Sequence, residues 1–161
     1  MLKKVEVNMK KEEIQIVARN KKANHEYFIL ETYEAGIVLF GTEIKSIRGS
    51  KVSIQDAYCE IKKQEMFVEN MHIALYEKGN IFNHKETRER KLLLHKKEII
   101  KLFSKVQQEG LTIIPLEVYI SKGLCKIKIG LCKGKKLFDK RNDIKEKSIK
   151  RDLEKNYKVK Y

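Results

Sequence analysis

The clearest pattern in the chain is the alternation from Cys125 to Leu131, where Cys125, Ile127, Ile129 and Leu131 are apolar and Lys126, Lys128 and Gly130 stand between them. A period of two belongs to a half-buried strand, with one face on a core and lysines on the other. Thr112 to Ile120 repeats the pattern with Ile114, Leu116, Val118 and Ile120 on one side, and Ser121-Lys122-Gly123 turns between the two strands. Pro115 cannot donate to a strand ladder, which predicts an edge or a bulge near it. Further strands are expected over Ile14–Ala18, Tyr27–Tyr33 and Ile37–Phe40, the last two joined by a turn at Glu34-Ala35-Gly36. Val52–Ile61 and Met66–Ile73 read as a hairpin about the charged turn Lys62-Lys63-Gln64-Glu65.

Two segments change to a helical period. Gly41 breaks the preceding strand, Thr42 is a candidate N-cap, and Ile44 and Ile47 share a face. Gly49 can end that short helix in the left-handed conformation. A longer helix is predicted over Glu89–Gln108, with Leu92, Ile99, Phe103 and Val106 on one stripe and Gly110 as terminator. After Leu131 the apolar residues Ile144, Ile149 and Leu153 are isolated among charges, a composition too polar to fold alone. The elements together predict a mainly β fold. It is an OB-like closed antiparallel β-barrel with two or three flanking helices over residues 1–132. A polar leader precedes Ile14, and a basic C-terminal tail over residues 133–161 is expected to be disordered when free and helical on binding.

Charge gives this scaffold a partner. Lysine and arginine number 36 against 22 acids, a net charge of +14, and the last 36 residues carry nine of those charges. Such an excess points to a polyanion. A membrane is the weaker candidate, because no apolar run approaches the roughly 18 residues needed to span one. Met1 to Lys11 has no signal-peptide core and the C-terminus has no lipidation motif, so the expected location is the cytoplasm. Cys59, Cys125 and Cys132 are odd in number and lack C-x-x-C spacing, as suits packing residues in a reducing compartment.

No nucleophile elbow, phosphate loop, dinucleotide fingerprint or zinc-helix motif is present, so no enzyme, cofactor or metal is expected. His25, His72, His84 and His95 are scattered and read as surface or RNA-contacting histidines. Asp56 and Glu60, which could share one side of a strand, lack the third acid a metal nuclease would want. Binding has more support. Asn20, Lys21, Lys22, His25 and Tyr27 combine amide, cations and ring within eight residues, the mixture that RNA recognition uses. Lys45 and Arg48 lie three apart on the short helix. Lys126, Lys128, Lys133, Lys135 and Lys136 are held together by strand alternation and the loop after it. Glu34 can accept from a base amino group or orient a cation. Each has a plainer reading, as a solvated turn or a lysine-protected edge strand.

Several blocks are similar to one family. They are Arg19-Asn20-Lys21-Lys22-Ala23 with His25-Glu26-Tyr27-Phe28, Glu34-Ala35-Gly36-Ile37, and Gly41-Thr42-Glu43-Ile44-Lys45-Ser46-Ile47-Arg48. Arg90 to His95, Cys125 to Gly130, Gly134-Lys135-Lys136, Asp139-Lys140-Arg141 and Asp143-Ile144-Lys145-Glu146 follow in order. The chain resembles the SsrA-binding proteins, the tmRNA partners of bacterial trans-translation. The resemblance implies a monomeric, non-enzymatic protein that binds the tRNA-like domain of tmRNA and delivers it, with elongation factor Tu, to stalled ribosomes. The tail would enter the decoding site and empty mRNA channel of the small subunit. By matching motif, the RNA face would hold Asn20, Lys22, His25, Tyr27, Glu34, Lys45, Arg48, Tyr58, Lys126 and Lys128, with Lys133, Lys135 and Lys136 beside it. Phe138, Asp139, Lys140 and Arg141 would engage the ribosome. Ala74-Leu75 and Glu89 depart from the family pattern in loops, and Phe138 stands where relatives often carry another ring. A general RNA-binding or ribosome-associated OB protein is the alternative.

Overall fold

The computed structural model describes residues 13–79, 81 and 83–159; the expected leader lies, but for Glu13, outside them. In chain order the elements are β1 (Ile14–Arg19), α1 (Ala23–Glu26), β2 (Tyr27–Ile37), α2 (Gly41–Arg48), β3 (Val52–Ser53), β4 (Tyr58–Lys62), β5 (Glu65–Glu69), β6 (His72–Ile73), β7 (Arg90–Leu93), α3 (Lys96–Glu109), β8 (Thr112–Ser121), β9 (Leu124–Gly134) and α4 (Leu137–Val159). Seven strands pair in the order β1-β8-β4-β5-β7-β2-β9, β8 also pairs with β9, and β3 and β6 form a separate two-stranded sheet. Among the described residues the fold is mainly β with four helices.

The long β8–β9 hairpin organises this sheet. Its two-residue turn puts Lys122 at φ 50° and Gly123 at φ 74°, the paired left-handed conformation whose twist matches the strands. Ile127, Ile129 and Leu131 point into the core as alternation requires. In β8 the register against β9 shifts between Pro115 and Glu117. Of the edge or bulge expected at the proline, the structure has the bulge, and it changes the phase of the strand. Ile113 faces the core before the bulge, and Val118 and Ile120 face it afterwards, so the four residues expected on one face do not share it. Gly130 makes room at this point, since a Cβ there would stand 2.9 Å from Leu116 Cδ1.

Three expectations about β2, α2 and α3 need correction. Glu34-Ala35-Gly36 is not a turn, because β2 runs unbroken to Ile37 along eleven-residue β9. Ala35 is small and buried in the core, and Gly36 sits against Leu93 of β7, so the small residues serve packing rather than reversal. Helix α2 starts two residues early, with Phe40 rather than Thr42 as N-cap and its amide donating to Glu43 Oε1 at 2.9 Å. Gly49 has φ −82° and Ser50 takes the left-handed conformation instead at φ 57°. The predicted helix from Glu89 is a strand followed by a shorter helix. Arg90 and Leu92 are buried, Lys91 and Leu93 are not, and β7 joins β5 to β2. Leu92 therefore reaches the core from a strand, while Ile99 and Leu102 seat α3. Gly110 ends α3 at φ 63°, as expected.

The hairpin expected over 52–73 is real in its centre. Tyr58 faces Glu69 and Lys62 faces Glu65, with Lys63 and Gln64 both left-handed in the turn. Its flanks peel away as the β3–β6 pair. Asp56 lies in the turn before β4, not on a strand with Glu60.

A buried polar group ties α2 to the start of β7 and the segment before it. Glu43 and Arg90 are completely buried and ion-paired. Arg88 donates to Glu43 Oε1 at 2.6 Å and its guanidinium lies 4.0 Å over the Phe40 ring. The remaining Arg90 donors reach the Met71 carbonyl at 2.7 Å and the Glu86 carbonyl at 3.1 Å. His84 is buried here rather than on the surface. Its Nε2 lies 2.9 Å from the Ile73 carbonyl, and Nδ1 lies 2.9 Å from Thr42 Oγ1. A carbonyl only accepts, so Nε2 carries the proton and the Thr42 hydroxyl donates to Nδ1. Thr42 serves this contact and not a cap.

Candidate nucleic-acid interface

Asn20 follows β1 and is buried, with 8% of its surface exposed. Its Nδ2 donates to the Pro115 carbonyl at 3.2 Å and approaches the Ile54 carbonyl at 3.5 Å, fixing three segments against one another. Oδ1 is buried without a hydrogen-bond partner. The stretch after it winds into the single turn α1, with Lys22 in the N-cap position. Lys21, Lys22 and His25 are left exposed.

Strands β8, β9 and β2 lie side by side and carry the second part of the surface. Glu117 of β8 and Glu34 of β2 flank Lys128 of β9 on its two sides. In the next row Tyr119 and Gly36 flank Lys126. Glu34 links the rows: its Oε1 accepts from Lys126 Nζ at 2.7 Å and its Oε2 from the Tyr119 hydroxyl. The hydrogen bond from Lys126, then that from Tyr119, holds the Glu34 carboxyl below its ordinary range. Burial and the Glu34 carboxylate push the Tyr119 phenol up. Both oxygens of Glu34 are thus occupied, and of the two roles open to it the structure supports orienting a cation.

Three adjoining hollows connect these residues. A 240 Å³ hollow is lined by Asn20, Tyr27, Gln55 and Tyr58. A 490 Å³ hollow is lined by Asn20, Lys21, Leu116, Glu117 and Lys128. A third, of 450 Å³, is lined by Glu34, Glu117, Tyr119 and Lys128. Asn20 is shared by the first two and Lys128 by the last two, so a continuous path runs from Tyr58 past Tyr27 and Asn20 to Lys128 and Glu34. Lys45 and Arg48 line none of the three. They are exposed on α2, where Lys45 Nζ lies 5.1 Å from the Tyr76 ring.

Tyr119 and Glu117 are members of this path absent from the candidate set, and Lys21, noted in the basic loop, also lines it. Alternation in β8 does signal Tyr119, which falls opposite Val118 and Ile120 and so beside the lysines. Tyr58 is exposed and donates to Glu69 Oε2 at 2.8 Å. Lys62 also reaches Glu69, and lies 3.0 Å from Glu89.

Toward the C-terminus the cations diverge. Lys133 and Lys136 are exposed, while Lys135 turns inward. Asp139 Oδ2 accepts from the Lys136 amide at 3.2 Å, at the start of α4. Phe138 is exposed, as are Ile144, Ile149 and Leu153. Among the described residues no cluster of histidine, cysteine and acid could hold a metal ion, and no helix is long and apolar enough to cross a membrane. Burial pushes the Cys125 and Cys132 thiols up to about 11.

Cations, amides and tyrosines set along strands, with hollows between them, form a strand-built surface of the kind that suits RNA. The comparisons with known proteins agree. The chain belongs to the SmpB protein family, whose model matches residues 17–159. It is 54% identical over 150 residues to the SsrA-binding protein of Acetivibrio thermocellus, covering 93% of this chain and 97% of that one. With the SsrA-binding protein of Caldanaerobacter subterraneus subsp. tengcongensis it shares 53% over 154 residues, 96% of this chain and 98% of that one. A chain of the solved structure described as "tmRNA-SmpB: a journey to the center of the bacterial ribosome" aligns with a TM-score of 0.64 at 45% identity, covering 78% of this chain and 92% of that one.

Proposed function

We propose that the protein binds the tRNA-like domain of tmRNA and delivers it to stalled ribosomes in trans-translation, acting as a binding protein and not as an enzyme. The observation that carries this reading is the path from Tyr58 through Tyr27 and Asn20 to Lys128 and Glu34 on a chain of this family. Tyrosines suit splayed bases, and strand-borne ammonium groups suit a folded RNA backbone. Lys22, Lys126, Lys133 and Lys136 extend the cationic surface around the path, with the exposed His25 ring beside them. Lys45 and Arg48 form a separate exposed pair on α2, suited to a phosphate run further along the RNA.

The scaffold reads as an OB-like barrel. The order β8-β4-β5-β7-β2-β9, with β9 pairing back to β8, supports a sheet closed on itself with β1 added outside. The chain divides into this body and a basic tail from Lys133. The exposed helix α4 with Phe138, Asp139, Lys140 and Arg141 is suited to the mRNA channel and decoding site of the small subunit. The tail is disordered in the free protein, and α4 is the helix it forms on the ribosome. The protein works as a monomer in the cytoplasm, away from membranes, and meets elongation factor Tu through the tmRNA complex.

The test is a titration of the full-length protein with the tRNA-like domain of tmRNA against ordinary tRNA, at low and near-physiological salt. Selective binding that survives salt supports the reading. Equal affinities that fade together would leave a general RNA-binding protein, because purely phosphate-driven binding does not discriminate.

A further inference from the structure

Tyr58 and Glu69 stand directly opposite each other in the β4–β5 hairpin. The Tyr58 hydroxyl donates to Glu69 Oε2 at 2.8 Å. The other oxygen of Glu69 accepts from the Lys62 ammonium. That ammonium also lies 3.0 Å from Glu89 and 3.6 Å from Glu60. Alternation puts Tyr58, Glu60 and Lys62 on one face of β4, so Lys62 reaches back along the hairpin on the side that carries the Tyr58 ring. Tyr58 lines the hollow it shares with Asn20 and Tyr27. Glu69, with 21% of its side chain exposed, lines none of the three hollows of the path.

We propose that Glu69 is a positioning residue for RNA recognition. It holds the Tyr58 ring as a stacking platform at one end of the path, and Lys62 in turn holds Glu69. A tyrosine side chain turns about few bonds, so anchoring its tip fixes the ring plane. A phenol has one proton to donate, and that of Tyr58 is engaged by Glu69. What Tyr58 offers a base is therefore its ring face. This role rests on the RNA-binding function proposed above, and it carries a sign of its own. A carboxylate near a polyanion repels it, so on charge alone the loss of Glu69 would strengthen binding. A carboxylate that holds the ring does the reverse, and its loss weakens binding. The contact also has a signature without RNA. The hydrogen bond to Glu69, and then the charge of Glu69, push the Tyr58 phenol above its ordinary range.

The experiment compares full-length wild type, E69A and E69Q, which alter no residue placed on the RNA face. Glutamine can still accept from the phenol but carries no charge. The Tyr58 phenol is titrated in each free protein by NMR of ring-labelled tyrosine. Each protein is then titrated with the tRNA-like domain of tmRNA and with ordinary tRNA at near-physiological salt. The phenol should lose its proton at lower pH in E69A than in the wild type. E69A should bind RNA about three- to fivefold more weakly, the cost of ordering one side chain on binding. E69Q should bind at least as tightly as the wild type. Urea midpoints should barely differ, because exposed ion pairs contribute little to folding. A Tyr58 titration unchanged in E69A would overturn the anchoring. Binding by E69A equal to the wild type, or tighter, would overturn its service to RNA. If the wild type bound both RNAs alike, the tmRNA assignment would fall, while weaker binding of either RNA by E69A would still support the platform.

Discussion

Glu43 and Arg90, 47 positions apart in the chain, are both completely buried and are paired with each other. One comes from the first turn of α2 and the other from β7. Arg88, the Phe40 amide and three backbone carbonyls complete the group. Charges removed from water are tolerable only when so fully met.

Removing one partner strands the other. Glu43→Leu or Arg90→Met should each cost about 3–5 kcal/mol of folding stability, read from urea unfolding. The double variant should be less destabilised than the sum of the singles, since no uncompensated charge remains from the pair. Simple additivity would contradict a coupled pair.

Acid should loosen the fold through the same chemistry. Burial acts to raise the Glu43 carboxyl, but hydrogen bonds from Arg88, Phe40 and Arg90 outweigh it and hold the group below its usual range. Glu31, bonded by Lys105 and Tyr33, Glu34, and Glu69, bonded by Lys62 and Tyr58, are lowered as well. A carboxyl with a lowered folded-state pKa contributes stability that is complete above its unfolded value, about 4.3 for glutamate, and is lost as pH falls through the folded value. The urea midpoint should hold steady from neutrality down to about pH 5 and then drop. In Glu43→Gln the drop should be shallower, from a lower plateau.

Asn20→Ala should cost about 1–3 kcal/mol, because the Pro115 carbonyl loses its donor inside the protein. Asn20→Asp should be at least as harmful, since a carboxylate cannot donate to that carbonyl. Both should also weaken RNA binding, as the two hollows that meet at Asn20 lose their shape. An Asn20→Ala protein of unchanged stability would show that the amide is not a brace.

Gln64→Gly, alone or with Lys63→Asn, should stabilise the β4–β5 hairpin by about 0.5–1 kcal/mol. Both positions are left-handed, a conformation that side chains other than glycine and asparagine adopt at a cost. RNA affinity should not move, because neither residue lines the path from Tyr58 to Glu34. Thermal unfolding and the same titration read both effects.

Legibility in the sequence followed from how local each cause is. The β8–β9 hairpin, the bulge at Pro115 and the stop at Gly110 are short-range chemistry and could be read directly. β2 was cut short because Glu34-Ala35-Gly36 looks like a turn alone; Leu93 and β9, far away in sequence, make it a strand. Arg90 to Leu94 offered an apolar run compatible with either period, and a buried arginine pairing with Glu43 decides for a strand. Of the candidate residues, Asn20, Tyr27, Glu34, Tyr58 and Lys128 line adjoining hollows, whereas Lys45 and Arg48 stand apart on α2. Sequence could say that Lys133, Lys135 and Lys136 lie close together, but not that the middle one turns inward. His84 was missed for the same reason, since its partners Thr42 and Ile73 lie 42 and 11 positions away.

The flanking of Lys128 by Glu34 and Glu117 would give the proposed RNA face a measuring property. Neighbouring strands are about 4.8 Å apart. A phosphate displaced sideways by one strand therefore exchanges an ammonium group for a carboxylate. A uniformly basic surface would let a polyanion slide across it at little cost. At Lys128 the surface changes sign from one strand to the next, so on the RNA face proposed above a backbone shifted by one strand would meet a carboxylate where it had met an ammonium.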